Sequence, residues 1–147
     1  MAVCAATQAE SLDVLSFTAD GQRRRVIPMF RESIRHFVES TEGAEAGLLM
    51  DLEGIAVEAY SKEGSACDIE VVGAEASVVV KAIQRAGEML DVGKMREISF
   101  QSDQMTTLIR IVNESYFVAL TLGPGGNVGK GRYLLRTAAP QFATELV

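Results

Sequence analysis

The amino-acid sequence predicts an α+β fold whose elements follow the order helix, two strands, helix, three strands, helix. Three observations support this prediction. The stretch from Asp68 to Val92 is the longest run with helical periodicity in the chain. A two-stranded pattern precedes it, and three segments rich in β-branched and aromatic residues follow it. Because short connections join those three segments, we expect them to form an antiparallel meander.

The chain is expected to begin with a flexible lead. Residues 1–25 mix small and polar side chains without a sustained period, so the predicted domain covers residues 26–147. Pro28 suits the first turn of a helix. The helix that follows is amphipathic and ends near Thr41 to Gly43, and its apolar positions are Ile27, Phe30, Ile34, Phe37 and Val38.

A β-hairpin is predicted for GLLMDLEGIAVEAYS, residues 47–61. Its first strand is the short apolar run Ala46 to Met50, and its second, Ile55 to Tyr60, alternates apolar and polar residues. Gly54 supplies the positive φ that such a turn commonly requires. A polar loop then leads to Asp68, whose carboxylate can accept hydrogen bonds from the first N–H groups of the central helix.

The central helix carries more apolar surface than contact with one sheet normally needs. One stripe, expected to pack on the sheet, contains Val72, Ala76, Val79, Ile83, Ala86 and Leu90. A second stripe beside it contains Val71, Val78, Ala82 and Met89. The width of this surface predicts a second packing partner. Gly93 is expected to end the helix, as a glycine just past a helix often does.

Three strands and a last helix complete the predicted order. The strands are Met95 to Ser102, Met105 to Val112 and Tyr116 to Leu122. Gly123 to Gly131 is read as a glycine-rich loop, and Pro140 is expected to kink or interrupt the final helix. The apolar positions of that helix are Tyr133, Leu134, Leu135, Ala138, Phe142 and Leu146.

Composition and charge exclude several classes of function. The content of 48% hydrophobic and 23% charged residues is typical of a globular chain, and the net charge of -6 argues against binding nucleic acid. The basic run Arg23 to Arg25 is read as a solvated edge. Cys4 and Cys67 form no CxxC pair, and no apolar run is long enough to span a membrane, so we expect a cytoplasmic protein without membrane insertion.

No catalytic, cofactor or metal site is predicted. GPGGNVGKGR resembles a phosphate-binding loop, but Pro124 replaces its first glycine and Gly131 stands where the loop needs Ser or Thr, so a structural turn is favoured. The single histidine, His36, is read as a partly exposed helical residue. The carboxylates fit turn formation or a helix N-terminus better than a metal site; they are Asp51, Glu53, Asp68, Glu70 and Glu75.

The sequence resembles the bacterial MglB-like branch of the Roadblock (dynein light-chain) family. The residues that carry the resemblance are the hairpin above, the helix start DIEVVGAEA, the meander REISFQSDQMTTLIRIVNESYFVALTL and the closing GKGRYLLRTAAPQFATEL. The resemblance covers roughly Phe30 to the C-terminus. It implies a five-stranded antiparallel sheet with the central helix on one face and the terminal helices on the other.

The resemblance also implies a non-enzymatic homodimer that binds a small Ras-like GTPase as a scaffold or as a modulator of its GTP hydrolysis. Its members pair through the central helix and the third strand, which assigns the dimer interface to Val71, Val78, Ala82, Met89, Met95, Ile98 and Phe100. A GTPase-docking surface is expected at Lys81, Gln84, Arg85 and Glu88, for which a merely solvated face is the alternative. No arginine is assigned as a catalytic finger, because nothing singles out Arg85, Arg132 or Arg136.

An alternative function is a small-ligand sensor of the GAF or PAS type. Such a module also places helices on an antiparallel five-stranded sheet. It would need a cavity between the sheet and a helix with a few converging polar groups. The inward positions here are Val, Ile, Leu and Met, which are sized to fill that space.

Overall fold

The computed structural model describes residues 27–146, with eight elements in the predicted order. The predicted lead, residues 1–25, lies outside the described residues. The first helix and the meander are confirmed, with strand ends one or two residues inside the predicted ones. The elements are α1 (Ile27–Ser40), β1 (Ala44–Asp51), β2 (Ala56–Ser61), α2 (Ile69–Leu90), β3 (Glu97–Gln101), β4 (Thr106–Ile111), β5 (Tyr116–Leu122) and α3 (Val128–Glu145).

The five strands form one antiparallel sheet in the order β2-β1-β5-β4-β3. The β1–β2 hairpin turns at Gly54, whose φ of 88° confirms the predicted positive value. The strands β2 and β3 are joined through the crossover helix α2. Consequently β2 and β3 are the two edges of the sheet, and β1 pairs on both sides.

Each face of the sheet has its own hydrophobic core. On one face α1 and α3 pack against each other and against the sheet, with the Phe142 ring edge-on to Phe30 at a centroid distance of 5.3 Å. On the other face α2 packs alone on β1 and β2. The core beneath α2 contains Ala46, Leu48, Met50, Cys67, Ile69, Val72, Ala76, Val80, Ile109, Phe117 and Ala119.

The central helix turns a different face to the sheet than the sequence predicts beyond Ala76. Val80 and Gly87 are buried, whereas Val79 is 39% exposed and Leu90 is 68% exposed. After Ala76 the next buried apolar residue is therefore Val80, four positions further along, whereas the predicted one was Val79, three positions further along. The prediction that Val79, Ala86 and Leu90 pack on the sheet is wrong, because the adjacent Val80 and Gly87 occupy the sheet-facing positions.

The ends of α2 are set by two aspartates. The Asp68 carboxylate accepts hydrogen bonds from the backbone N–H groups of Glu70 and Val71, which confirms the predicted cap. At the other end, Asp91 takes the left-handed conformation with a φ of 52°, and its N–H donates to the carbonyl of Glu88. Gly93 was predicted to end the helix, but it lies two residues beyond this cap.

The last helix begins earlier than predicted. Asn127 caps it by accepting a hydrogen bond from the Lys130 N–H, so Gly131, predicted to close the loop, lies inside the first turns of the helix. Gly131 is buried, and a Cβ there would lie 3.0 Å from the Leu120 side chain. The helix continues through Pro140 without interruption, and Tyr133 faces outward rather than toward the core.

Candidate functional site

The outward side of α2 carries an uncovered apolar stripe. Val71 is 44% exposed, Val78 is 63% exposed and Met89 is 80% exposed, and Ala82 lies between them on the same side. In a helix of 3.6 residues per turn these four positions point away from the buried residues Ala76 and Val80. The four residues predicted as a second stripe therefore share one solvent-facing surface, which we call the outer stripe.

This uncovered surface is broader than the sequence predicts. Val79 and Leu90, both predicted to pack on the sheet, widen it along α2, and Val92 extends it past the helix end. Ile55, in the β1–β2 turn, is also exposed. Large exposed apolar patches on a folded domain usually mark interaction sites.

The four residues predicted to dock a partner are not equally available. The Lys81 ammonium lies 3.6 Å from the Glu53 carboxylate in the β1–β2 turn. Gln84 is half-buried, whereas Arg85 and Glu88 are exposed. Lys81 is therefore already in an ion pair, although such exposed pairs are weak. The Arg85 side chain is the more available positive charge on this surface.

The β3 edge contains two of the three residues predicted there. Ile98 is half-buried against the α2 core, and Phe100, on the same side of the strand, is 41% exposed. Met95 lies before the strand begins, and its side chain packs on Gly87, where a Cβ would lie 3.0 Å from the methionine Cε. Met95 is thus in contact with α2 rather than on the strand edge.

The β3 strand presents unpaired peptide groups at alternate residues. The Ser102 N–H donates to the Met105 carbonyl, and the Ile111 N–H donates to the Arg96 carbonyl. Because peptide groups alternate in direction along a strand, the even-numbered residues bond to β4. The N–H and C=O groups of Glu97, Ser99 and Gln101 therefore point away from the sheet.

The β2 edge is closed by contrast. A register shift between Leu49 and Met50 places a bulge in the β1–β2 pair. The outward N–H of Ala59 donates to the carboxylate of Glu58 at 3.2 Å. Burial raises the pKa of that Glu58 carboxyl, an effect opposed by the Ala59 hydrogen bond and the charge of Arg31. Bulges and charged side chains are the usual protection of an edge strand.

The candidate catalytic groups have structural roles. The Asp51 carboxylate accepts hydrogen bonds from the backbone N–H groups of Glu53 and Ile55 and so closes the hairpin turn. His36 is exposed, and its Nδ1 lies 3.1 Å from the Ser40 hydroxyl oxygen. Within residues 27–146 no cluster of three or more metal-ligating side chains occurs. Over the same residues no helix is long and apolar enough to cross a membrane.

The phosphate-loop resemblance also resolves into a structural turn. The Gly123 N–H donates to the Gly43 carbonyl, and the Asn127 N–H donates to the Glu42 carbonyl. The approach is so close that a Cβ on Gly43 would lie 2.5 Å from the Gly126 Cα. The glycines thus join the start of α3 to the start of β1.

A surface cavity of about 420 Å³ lies at the end of the sheet, beside the loop between β2 and α2. Its lining is mostly this loop, from Lys62 to Cys67, together with Glu45, Gln104, Met105 and Thr121. The space directly between α2 and the sheet is filled by apolar side chains. A sensor module needs its cavity in that filled space, so the structure does not favour the ligand-sensor alternative.

Three arginines, one of them absent from the sequence predictions, gather on the opposite face of the sheet. The Arg132 Nε donates to the Glu97 carboxylate at 2.8 Å, and Arg110 pairs with Glu97 across the β3–β4 ladder. The Arg136 guanidinium lies 5.8 Å from the centre of the Tyr133 ring. The alternation of residues along β4 predicts that Arg110 lies on this face. The sequence does not predict that it lies near the Glu97–Arg132 pair.

The chain resembles proteins of one family in both sequence and structure. The family model described as "Roadblock/LC7 domain" matches residues 32–121. The crystal structure of MglC from Myxococcus xanthus is 36% identical, with a TM-score of 0.58, over 79% of this chain and 98% of that one. No curated protein matches significantly.

Two further solved structures share the fold at lower identity. A structure titled "MglB with tetrameric arrangement" is 17% identical with a TM-score of 0.75, covering 84% of this chain and 92% of that chain. A Roadblock/LC7 domain from Streptomyces avermitilis is 14% identical with a TM-score of 0.70, covering 79% of this chain and 96% of that chain.

Proposed function

This chain belongs to the Roadblock/LC7 domain family, and we propose that it is a homodimeric regulator or scaffold that docks a small Ras-like GTPase. In this role the protein has no catalytic residue of its own and modulates the hydrolysis of GTP, or the location, of its partner. The observation that carries the proposal is the outer stripe of α2, whose apolar side chains no other described element covers. A regulatory or scaffold role accords with the family of the chain.

The homodimer is proposed to form through α2 and β3. The unpaired peptide groups of Glu97, Ser99 and Gln101 provide hydrogen bonds for a second β3 strand, while Ile98 and Phe100 provide apolar contact on the α2 side. The outer stripe, Val71, Val78, Ala82 and Met89, then meets its counterpart. The closed β2 edge supports this choice of edge, because it leaves β3 as the strand able to extend the sheet.

The GTPase is proposed to dock on the charged flank of α2, at Lys81, Gln84, Arg85 and Glu88. This flank adjoins the outer stripe, so a partner there would contact both charged and apolar groups. Interfaces of this kind combine an apolar centre with a polar rim. Arg85 is expected to contribute most, since it is exposed and Arg is enriched at interface hot spots.

The test measures GTP turnover by purified candidate small GTPases from the same genome, with and without the full chain, together with co-elution in size-exclusion chromatography. We expect one GTPase to co-elute and its turnover to change. An Arg85→Glu variant should bind the GTPase about tenfold more weakly and therefore co-elute less. Lys62→Glu, a charge reversal away from α2, serves as the matched control. The proposal is wrong if no candidate changes turnover or co-elutes.

A further inference from the structure

Arg110, Arg132 and Arg136 form an arginine corner between α3 and the β3 side of the sheet. Glu97 connects two of them, because its carboxylate accepts from the Arg132 Nε at 2.8 Å and its backbone pairs with Arg110. Neighbouring residues across an antiparallel pair direct their side chains to the same face. Arg136 lies one helical turn after Arg132, so both occupy the same flank of α3.

The positive charge of the corner exceeds the negative charge that residues 27–146 place against it. Among the described residues Glu97 is the one carboxylate bonded to these arginines, and its partner is Arg132. The buried Nε atom of Arg110 has no hydrogen-bond partner. Arg136 contacts the Tyr133 ring and, within the described part of the chain, no carboxylate. In a chain with a net charge of -6, this leaves the guanidinium groups of Arg110 and Arg136 without a carboxylate partner among residues 27–146.

We propose that the arginine corner is a docking site for an acidic segment of a partner protein, lying along the β3 side of α3. Guanidinium groups bind carboxylates through paired, charge-assisted hydrogen bonds. Tyr133, which is 55% exposed beside Arg136, adds an aromatic contact of the kind enriched with Arg at protein interfaces. The side chains of Ser99 and Gln101 on the exposed β3 face supply polar contacts to the same segment.

The site is separate from the surface proposed for the GTPase. The corner lies on the α1 and α3 face of the sheet, whereas the outer stripe and its charged flank lie on α2. An acidic segment would therefore bind without displacing a protein from α2. The inference goes beyond the proposed GTPase role, and its test does not use a GTPase.

The experiment measures the fluorescence anisotropy of a labelled oligoglutamate peptide titrated with the full chain at low and high salt. We expect binding that weakens with salt, as interactions of exposed charges do. Arg136→Glu should weaken it by about tenfold or more and Arg136→Lys by less, because lysine keeps the charge without the paired geometry. Arg85→Glu, on the other face, should bind like the natural chain.

Four results would overturn the proposal. The first is that oligoglutamate binds no better than a neutral peptide of equal length, and the second is that Arg85→Glu weakens binding as much as Arg136→Glu. Inorganic phosphate at millimolar concentration could displace the peptide completely, which would assign the corner to a phosphate-bearing ligand. A change in the molecular mass of Arg136→Glu by light scattering would assign the corner to self-association. Unaltered circular dichroism confirms that each variant is folded.

Discussion

Gly73 of α2 packs so closely on Leu48 of β1 that a Cβ at position 73 would lie 2.2 Å from the leucine Cδ2 atom. The same Cβ would lie 2.8 Å from the Met50 Cε atom. The contact brings α2 down onto the centre of β1. Since both neighbours are fully buried, neither can move away freely.

Gly73→Ala is therefore expected to lower the free energy of unfolding by about 1–3 kcal/mol, as overpacking of a core does. Urea denaturation followed by circular dichroism measures it. The control is Gly129→Ala, because position 129 is exposed and helical, and a Cβ there would lie an ordinary 3.7 Å from the Asn127 side chain. That variant should gain about 0.5–1 kcal/mol. Equal shifts in the two variants would contradict the close approach.

Val78→Glu is expected to convert the protein from dimers to monomers, since it places a charge in the middle of the outer stripe. Light scattering coupled to size-exclusion chromatography measures the mass. Tyr133→Glu, at a similarly exposed position on the opposite face, should leave the proposed dimer intact. A Val78→Glu protein that remains dimeric would move the interface away from the outer stripe.

Ser99→Pro is expected to abolish edge pairing while preserving the fold. The Ser99 N–H points away from β4, so its loss removes no bond within the chain, and proline is tolerated at such edge positions. Ala59→Pro removes the outward N–H on the β2 edge, together with its hydrogen bond to Glu58, and should not alter the mass. The idea fails if the two variants behave alike in analytical ultracentrifugation.

Glu58→Gln is expected to raise the melting temperature slightly at neutral pH. Burial raises the pKa of the Glu58 carboxyl in the folded chain, so the ionised form opposes folding at higher pH. As the pH falls through that raised pKa toward the ordinary 4.5, the glutamate takes up its proton and the advantage of glutamine should disappear. Melting curves across this range check the sign. A gain that grows toward acid would contradict it.

The order of elements is predictable from the sequence because periodicity and turn residues act locally. Gly54 and Asp68 are examples, since a positive φ and a helix cap depend only on neighbouring residues. The face of α2 is less predictable. Val79 and Val80 are equally apolar, and what selects Val80 for the sheet is the close approach at Gly73, which only the packed structure contains.

The candidate site is also predictable only where it depends on local sequence pattern. The apolar character of the outer stripe is visible in the sequence, as is the alternation of β3. The positions that depend on contacts between distant elements are not visible. Met95 packs on Gly87 instead of joining β3. Lys81 pairs with Glu53, and Arg110 lies opposite Glu97, which bonds to Arg132 of α3, because the fold brings separate elements together.

The β2 edge of the sheet is protected and the β3 edge is not, and this difference limits how many copies of the chain can join by strand pairing. A sheet with two accepting edges can add copies without end and grow into a filament. Here the bulge in β2 and the carboxylate on the Ala59 N–H leave one accepting edge, β3. Once two β3 strands have paired, the joined sheet ends in a β2 strand on each side. In the proposed homodimer, growth by strand addition would then stop, and the assembly would be closed by symmetry.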